Sequence, residues 1–249
     1  MKEPSHHVAV ISDVHGNAPA LAAVLRELDA VAPDLVVFGG DLTWGPLPEA
    51  TLALVAELRT RPIFVRGNAE RALAELAQQD SAATPRERWL LGRHTDEQRA
   101  FLCSFVETAV VDIEGLGAVR FCHGSPRSDE ELITYATPKG RIDALLRGVD
   151  ERVLVSAHTY IQFDRRVGDL RSINPGSVGM PYEGRAGAAY WAVLGPDVEL
   201  LSTEYDLDET VRLYRASEDP LAEEMVEILL RPPTRAEVVE HAEAAKFAG

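Results

Sequence analysis

Hydrophobic positions along the chain fall into short runs that stop abruptly at polar residues. Val8-Ala9-Val10-Ile11, apolar and partly β-branched, predicts a buried strand, and it ends in Ser12-Asp13-Val14-His15-Gly16-Asn17. Pro19 sits where the first turn of a helix tolerates proline, and helical periodicity runs from Ala18 to Ala30. The pattern then repeats. After Pro33, Asp34-Leu35-Val36-Val37-Phe38 predicts a second strand ending in Gly39-Gly40-Asp41, with a helix over Glu49 to Thr60. Pro62-Ile63-Phe64-Val65 predicts a third, ending in Arg66-Gly67-Asn68-Ala69-Glu70. Three β-α units in succession imply neighbouring parallel strands with right-handed crossovers. Asp13, His15, Asp41 and Asn68 would then meet on one rim.

The pattern changes over residues 70–108, a helix-rich excursion expected to cover that rim. Arg71 to Gln79 and Asp96 to Phe105 have helical periodicity, with a looser polar stretch from Ser81 to Glu87 between them. Trp89 reads as packed and His94 as a solvated histidine in a polar turn. Strands over Ala109 to Glu114 and Ala118 to Cys122 flank a turn at Gly115 to Gly117, and the second ends in His123-Gly124-Ser125-Pro126. A helix from Lys139 to Arg147 precedes a strand from Arg152 to Ser156, which ends in Ala157-His158-Thr159-Tyr160. Ala188 to Leu194 and Val198 to Glu204 alternate as an antiparallel hairpin. Helices over Leu207 to Ser217, Leu221 to Leu230 and Arg235 to Phe247 form a C-terminal tail from about residue 205. The whole chain, 1–249, reads as one domain.

Composition narrows the function. The sequence is 46% hydrophobic with a formal net charge of −15, which suits a globular protein and argues against a broad electrostatic grip on nucleic acid or anionic lipid. A phosphate substrate remains compatible, because bound cations reverse the local field. Cys103 and Cys122 form neither a disulfide framework nor a zinc-ligand pair by spacing, and both read as reduced thiols. No early apolar segment resembles a signal peptide and no stretch has the length of a membrane span, so the expected location is cytoplasmic. The sequence does not indicate an oligomeric state.

Asp13 and His15, two apart at a strand's carboxyl end, project together. Such a pair makes half a metal site or, more simply, one hydrogen bond at a strand terminus. The remaining strand ends decide between these. Asp13-Val14-His15, Gly40-Asp41, Gly67-Asn68, His123-Gly124 and Ala157-His158 occur in an order that resembles the calcineurin-like metallophosphoesterases over about residues 8–194. With Asn174-Pro175-Gly176-Ser177-Val178-Gly179, the chain is most similar to the small bacterial and archaeal phosphodiesterase branch.

The resemblance implies an α/β fold, a four-layer αββα sandwich of two mixed β-sheets with a two-metal site on its rim. Asp13 and His15 would hold the first ion, Asp41 would bridge, and Asn68, His123 and His158 would complete the second. Asp41, Asn68 and His123 would be central to catalysis. Oxygen and imidazole donors without thiolate suit two divalent or mixed-valence ions, manganese first, with iron, zinc or nickel as alternatives. The implied reaction is hydrolysis of a small phosphodiester or nucleotide-like substrate by a metal-bridging hydroxide. Asn17, Arg66 and Arg127 adjoin these motifs as substrate-binding candidates. Asn17 is equally explained as a helix cap, and the arginines as solvated residues.

Two positions depart from the family pattern. Ala69 stands where a histidine commonly protonates the leaving group, which favours diesters with good leaving groups over monoesters. Tyr160 stands where a histidine ligand of the first ion is expected, and a neutral phenol is a poor ligand. These departures also support a rival reading: a catalytically weakened phosphoesterase fold acting as a binding or scaffold module, as in the retromer scaffold subunit.

Overall fold

Alternation within the predicted strands determines how the layers stack. The protein is described here by a computed structural model covering residues 4–78 and 84–245. In β1 (Val8–Ile11), Val8 and Val10 face one way and Ala9 and Ile11 the other, as the two-residue period of a strand requires. β2 (Leu35–Phe38) repeats this, with Leu35 and Val37 beside Val8 and Val10. Both faces of these strands are buried, which explains their uninterrupted apolar character.

β1 pairs in parallel with β2, and β2 with β3 (Pro62–Phe64). Two helices pack on the Ala9, Ile11 and Phe38 face: α1 (Ala18–Val31) and α2 (Pro48–Ala56). Three further helices follow β3: α3 (Asn68–Gln78), α4 (Pro85–Gly92) and α5 (Asp96–Cys103).

The second sheet begins with the antiparallel pair β4 (Thr108–Ile113) and β5 (Gly117–Cys122). After α6 (Lys139–Leu145), β6 (Val153–Val155) adds in parallel to β5. β7 (Gln162–Val167) and β8 (Leu170–Pro175) complete it in the order β4-β5-β6-β8-β7. The chain then returns to the first sheet with β9 (Ala188–Leu194) and β10 (Val198–Glu204), giving the order β10-β9-β1-β2-β3. Three helices close the chain: α7 (Leu207–Ala216), α8 (Ala222–Leu230) and α9 (Arg235–Ala244).

Val8, Val10, Leu35 and Val37 of one sheet meet Val119, Phe121, Val153, Val155 and Ile173 of the other, forming a core between the sheets. Burying each such side chain contributes about 1.5–3 kcal/mol. On the far face, Cys122, Leu154, Phe163 and Leu170 pack on Ile142 and Leu145 of α6, with Val238 and Val239 of α9 alongside. Helices, sheet, sheet and helices therefore form four layers, as the family pattern implies. Among the described residues no helix is long and apolar enough to cross a membrane.

The excursion differs from expectation in two respects. The polar stretch from Ser81 to Glu87 is partly helical: its described portion contains the start of α4. There Thr84 accepts from the Glu87 amide while the Glu87 carboxylate accepts from the Thr84 amide. That capping box was readable in Thr84-Pro85-Arg86-Glu87; residues 81–83 lie outside the described residues. His94 is buried rather than solvated. Its Nδ1 donates to the Leu90 carbonyl at 2.8 Å, and its Nε2 meets Thr43 Oγ1 at 3.1 Å, tying the excursion to the loop after β2. Both hydrogen bonds meet the polar needs of the ring, so periodicity alone does not reveal its burial. Trp89 is half-buried beneath the Arg93 guanidinium, and Cys103 and Cys122 are free thiols.

Candidate metal centre

The carboxyl ends of β1, β2, β5 and β6 converge on one rim, and the turns leaving them carry the candidate ligands. Among the described residues seven non-glycine residues have positive φ, and five of them are Asp13, His15, Asp41, His158 and Tyr160. Left-handed backbone costs a side-chain-bearing residue roughly 1–2 kcal/mol, so the surroundings must hold these turns in place.

Several hydrogen bonds do so. Glu70, fully enclosed at the start of α3, accepts from the amides of Asp41 (3.0 Å), Leu42 (2.8 Å) and Gly67 (2.8 Å). In return Asp41 Oδ1 accepts from the Ala69 amide at 2.9 Å. Gly67 admits this approach because a Cβ there would lie 2.2 Å from Asp41 Oδ1. The Asn174-to-Gly179 segment ties the sheets together. Ser177 Oγ and the Gly179 amide both donate to the Asp13 carbonyl, while Asn174 Nδ2 donates to the Ala157 carbonyl. Neither Glu70 nor Ser177 stood out as a site residue in the sequence, since neither carries a ligand; the signal was their place inside motifs.

The imidazoles are aimed by their outer nitrogens. His123 Nδ1 donates to the Gly39 carbonyl at 2.7 Å, and His15 Nδ1 to the Trp44 carbonyl at 3.2 Å. Each ring therefore presents Nε2 inward, the orientation that outer-shell carbonyls give to metal-binding histidines. Both Nε2 atoms lie 3.5 Å from Asp41 Oδ2. His123 Nε2 also lies 3.1 Å from Asn68 Oδ1 and 3.1 Å from His158 Nδ1. Two groups of potential ligands result, Asp13-His15-Asp41 and Asp41-His123-His158, each with its donor atoms within 4.8 Å of one another. Asp41 belongs to both. Asp13 Oδ1 is buried with no hydrogen-bond partner, as suits a carboxylate oxygen reserved for a cation.

Electrostatics among the protein groups agree. Burial, with Asp41 close by, pushes Asp13 up to about 7, although His123 opposes this. Burial also raises Asp41, but His123 and its neighbouring imidazoles outweigh it and hold the carboxyl below its usual range. Burial works to discharge His123, yet the Asp41 carboxylate prevails and raises it to about 10. Burial lowers His15, and burial with the adjacent His123 charge lowers His158 to about 4. One anion-cation pair thus stands beside two neutral imidazoles, a charge set that divalent cations would reorganise.

A family model described as the calcineurin-like phosphoesterase superfamily domain matches residues 7–194. The chain belongs to that superfamily. Among solved structures it is similar to a metallophosphoesterase from Sphaerobacter thermophilus, at 25% identity and a TM-score of 0.74, covering 91% of this chain and 99% of that one. A hypothetical protein from Pyrococcus horikoshii OT3 shares the fold at 20% identity and a TM-score of 0.77, covering 92% and 99%. No curated protein matches the chain.

The superfamily match ends at β9, so β10 and the helices α7 to α9 lie beyond it. Of these, α7 and α8 stand on the His15 side of the centre. Tyr160 packs edge-on against Tyr182 and adjoins the cluster of Met180, Val211, Tyr214, Met225, Val226 and Leu229. Its Oη lies 3.1 Å from His15 Nε2, and burial, reinforced by Asp41 and Asp13, raises its phenol well above the usual value.

The substrate-binding candidates separate. Asn17 is enclosed and fully used: Oδ1 accepts from the Ala20 amide to cap α1, and Nδ2 donates to the Gly179 carbonyl. Its type is therefore explained by capping, as the sequence allowed. Arg66 and Arg127 line a cavity of about 190 Å³ that also reaches His123. Their guanidinium groups bind Glu107 and Glu131.

Proposed function

We propose that the protein is a metal-dependent phosphodiester hydrolase acting on a small substrate. One observation supports this above the rest: Asp41 Oδ2 lies 3.5 Å from Nε2 of both His15 and His123, where one oxygen can serve two ions. Asp13, His15 and Asp41 would hold the first ion, and Asp41, Asn68, His123 and His158 the second. Manganese is the first candidate, with iron, zinc or nickel as alternatives. When bound, such ions acidify water toward neutrality and neutralise the phosphoryl oxygens.

The protein's own residues shape the rest. Trp44 and Gly39 carbonyls fix the two imidazoles, and Glu70 fixes the Asp41 turn. Asp41 Oδ1 is held by the Ala69 amide, leaving Oδ2 directed inward. Ala69 itself offers no proton to a departing alkoxide, which favours diesters with good leaving groups over alkyl monoesters. A second reading, a weakened fold used for binding, is favoured by Tyr160 at an expected ligand position. A screen of phosphomonoesters and diesters with each candidate metal, alongside measurement of bound-ion stoichiometry, separates them. Diester turnover with two ions bound supports hydrolysis. Robust alkyl monoesterase activity with negligible diesterase activity would overturn the diester preference, and neither activity with no stable ion would favour the binding module.

A further inference from the structure

The two flanks of the metal centre are built differently. On the His15 side, the C-terminal helices stand against Tyr160 and Tyr182. The excursion is fastened to them where Arg86 pairs with buried Asp219 and Arg93 donates to the Ser217 carbonyl. On the His123 side lies the 190 Å³ cavity, lined by Arg66, Arg71, Arg127, Ser125, Ser128 and His123 among others. His123 belongs to both the candidate second ion site and the cavity wall. Arg71 follows Asn68 by three residues on α3, so both lie on one face of the helix.

The carboxylates around these arginines fall into two kinds. Asp129, which accepts from Arg71 Nε at 2.8 Å, and Glu131, which accepts from Arg127 Nε at 2.9 Å, are largely buried and hold the guanidinium groups in place. Glu75, Glu107 and Glu130, which meet Arg71 and Arg66 at the rim, have side chains 55%, 77% and 68% exposed. Exposed ion pairs contribute only about 0–1 kcal/mol, so an incoming anion can replace them. Arg66 Nε is buried without a hydrogen-bond partner. In a chain of net charge −15, three arginines converge on one polar cavity beside the site.

We propose that this cavity is an anion subsite, with Arg71 as a principal ligand beside Arg66 and Arg127, that takes a second phosphate carried on one arm of the substrate. The inference rests on the phosphodiesterase reading and deepens it: the preferred substrate is a diester with one arm ending in a phosphate. The planar guanidinium forks suit phosphate oxygens. Ser128, whose Oγ accepts from the Glu130 amide, still has its own hydroxyl proton to donate, whereas the Ser125 hydroxyl is committed to Glu131.

The test is equilibrium binding to the manganese-loaded protein, read by calorimetry and therefore independent of turnover. Two dialkyl phosphinates, in which carbon replaces both ester oxygens so that no scissile P–O bond remains, serve as probes, one with a plain propyl arm and the other with that arm ending in a phosphonate. The doubly anionic probe should bind the parent about tenfold or more tightly, the size of one charge-assisted contact. Arg71→Gln should bring the ratio of the two affinities toward one, and Arg71→Lys should retain part of it, with circular dichroism confirming that both variants are folded. A parent ratio near one, or a ratio unchanged in Arg71→Gln, would overturn the proposal. If the ratio behaves as expected while no diester is turned over, the subsite stands and the hydrolase reading fails.

Discussion

Tyr160 donates a 3.1 Å hydrogen bond to His15 Nε2, the ring nitrogen that also faces Asp41. The phenol thus engages a donor atom the first ion would need, and supplies no good ligand in return. Histidine is among the residues that tolerate the left-handed backbone found at position 160, where φ is 63°. Tyr160→His is expected to tighten the first ion about tenfold or more. Tyr160→Phe, which removes only the hydroxyl, should tighten it less. Calorimetric titration of metal-free protein checks both, and two equivalents bound with equal affinity by parent and Tyr160→His would refute the assignment.

Asp41→Asn should abolish diester turnover while leaving the fold intact. The amide can still accept from the Ala69 amide through Oδ1, so the local turn survives, whereas the negative oxygen between the two imidazoles is lost. Turnover near the parent level, in a variant with parent-like unfolding, would remove the shared-carboxylate mechanism.

Metal affinity should rise with pH across neutrality. Asp13 is raised to about 7 and His123 to about 10, and each must lose its proton before it can bind an ion. His15 and His158 are lowered and already neutral there, so they add no proton release. Calorimetry in buffers of different ionisation enthalpy should therefore show net proton release on binding. Affinity independent of pH between weakly acidic and weakly alkaline conditions would contradict the charge arrangement.

Glu70→Ala should destabilise the protein by roughly 3 kcal/mol, because three buried amides lose their acceptor and each unmade bond costs about 1–3 kcal/mol before water relieves part of it. Glu70→Gln, with one acceptor oxygen left, should cost less. Both should weaken metal binding through the loosened Asp41 turn. Denaturant unfolding reads the first effect and titration the second; an alanine variant as stable as the parent would show the three bonds to be dispensable.

Most of the layering was legible because strand alternation and the β-α repeat are local properties. Val8 to Ile11 and Leu35 to Phe38 are apolar on both faces and allow little other than central strands. The cluster of candidate ligands was legible for a related reason: each lies in the turn just after a strand. Three features were less accessible. His94 is polar yet buried, and only its distant partner Thr43 explains that. The described start of α4 was obscured by its charged residues, although Thr84 and Glu87 form a local cap. Arg71 appeared only as the start of a helical stretch, because its pairing with Asp129 and the cavity it shares with His123 join residues remote in sequence.

Asp13, His15 and Asp41 leave one sheet, and His123 and His158 leave the other. Any ion shared among them is therefore a rivet across the seam between two halves that otherwise adhere through interdigitated apolar faces. Prising the sheets apart would require the rivet to be drawn first. Heat resistance should then depend on ion supply: at a free concentration one hundred times the dissociation constant, a single such rivet adds about 2.7 kcal/mol against unfolding. A chelator in the buffer would act on the architecture as much as on the chemistry.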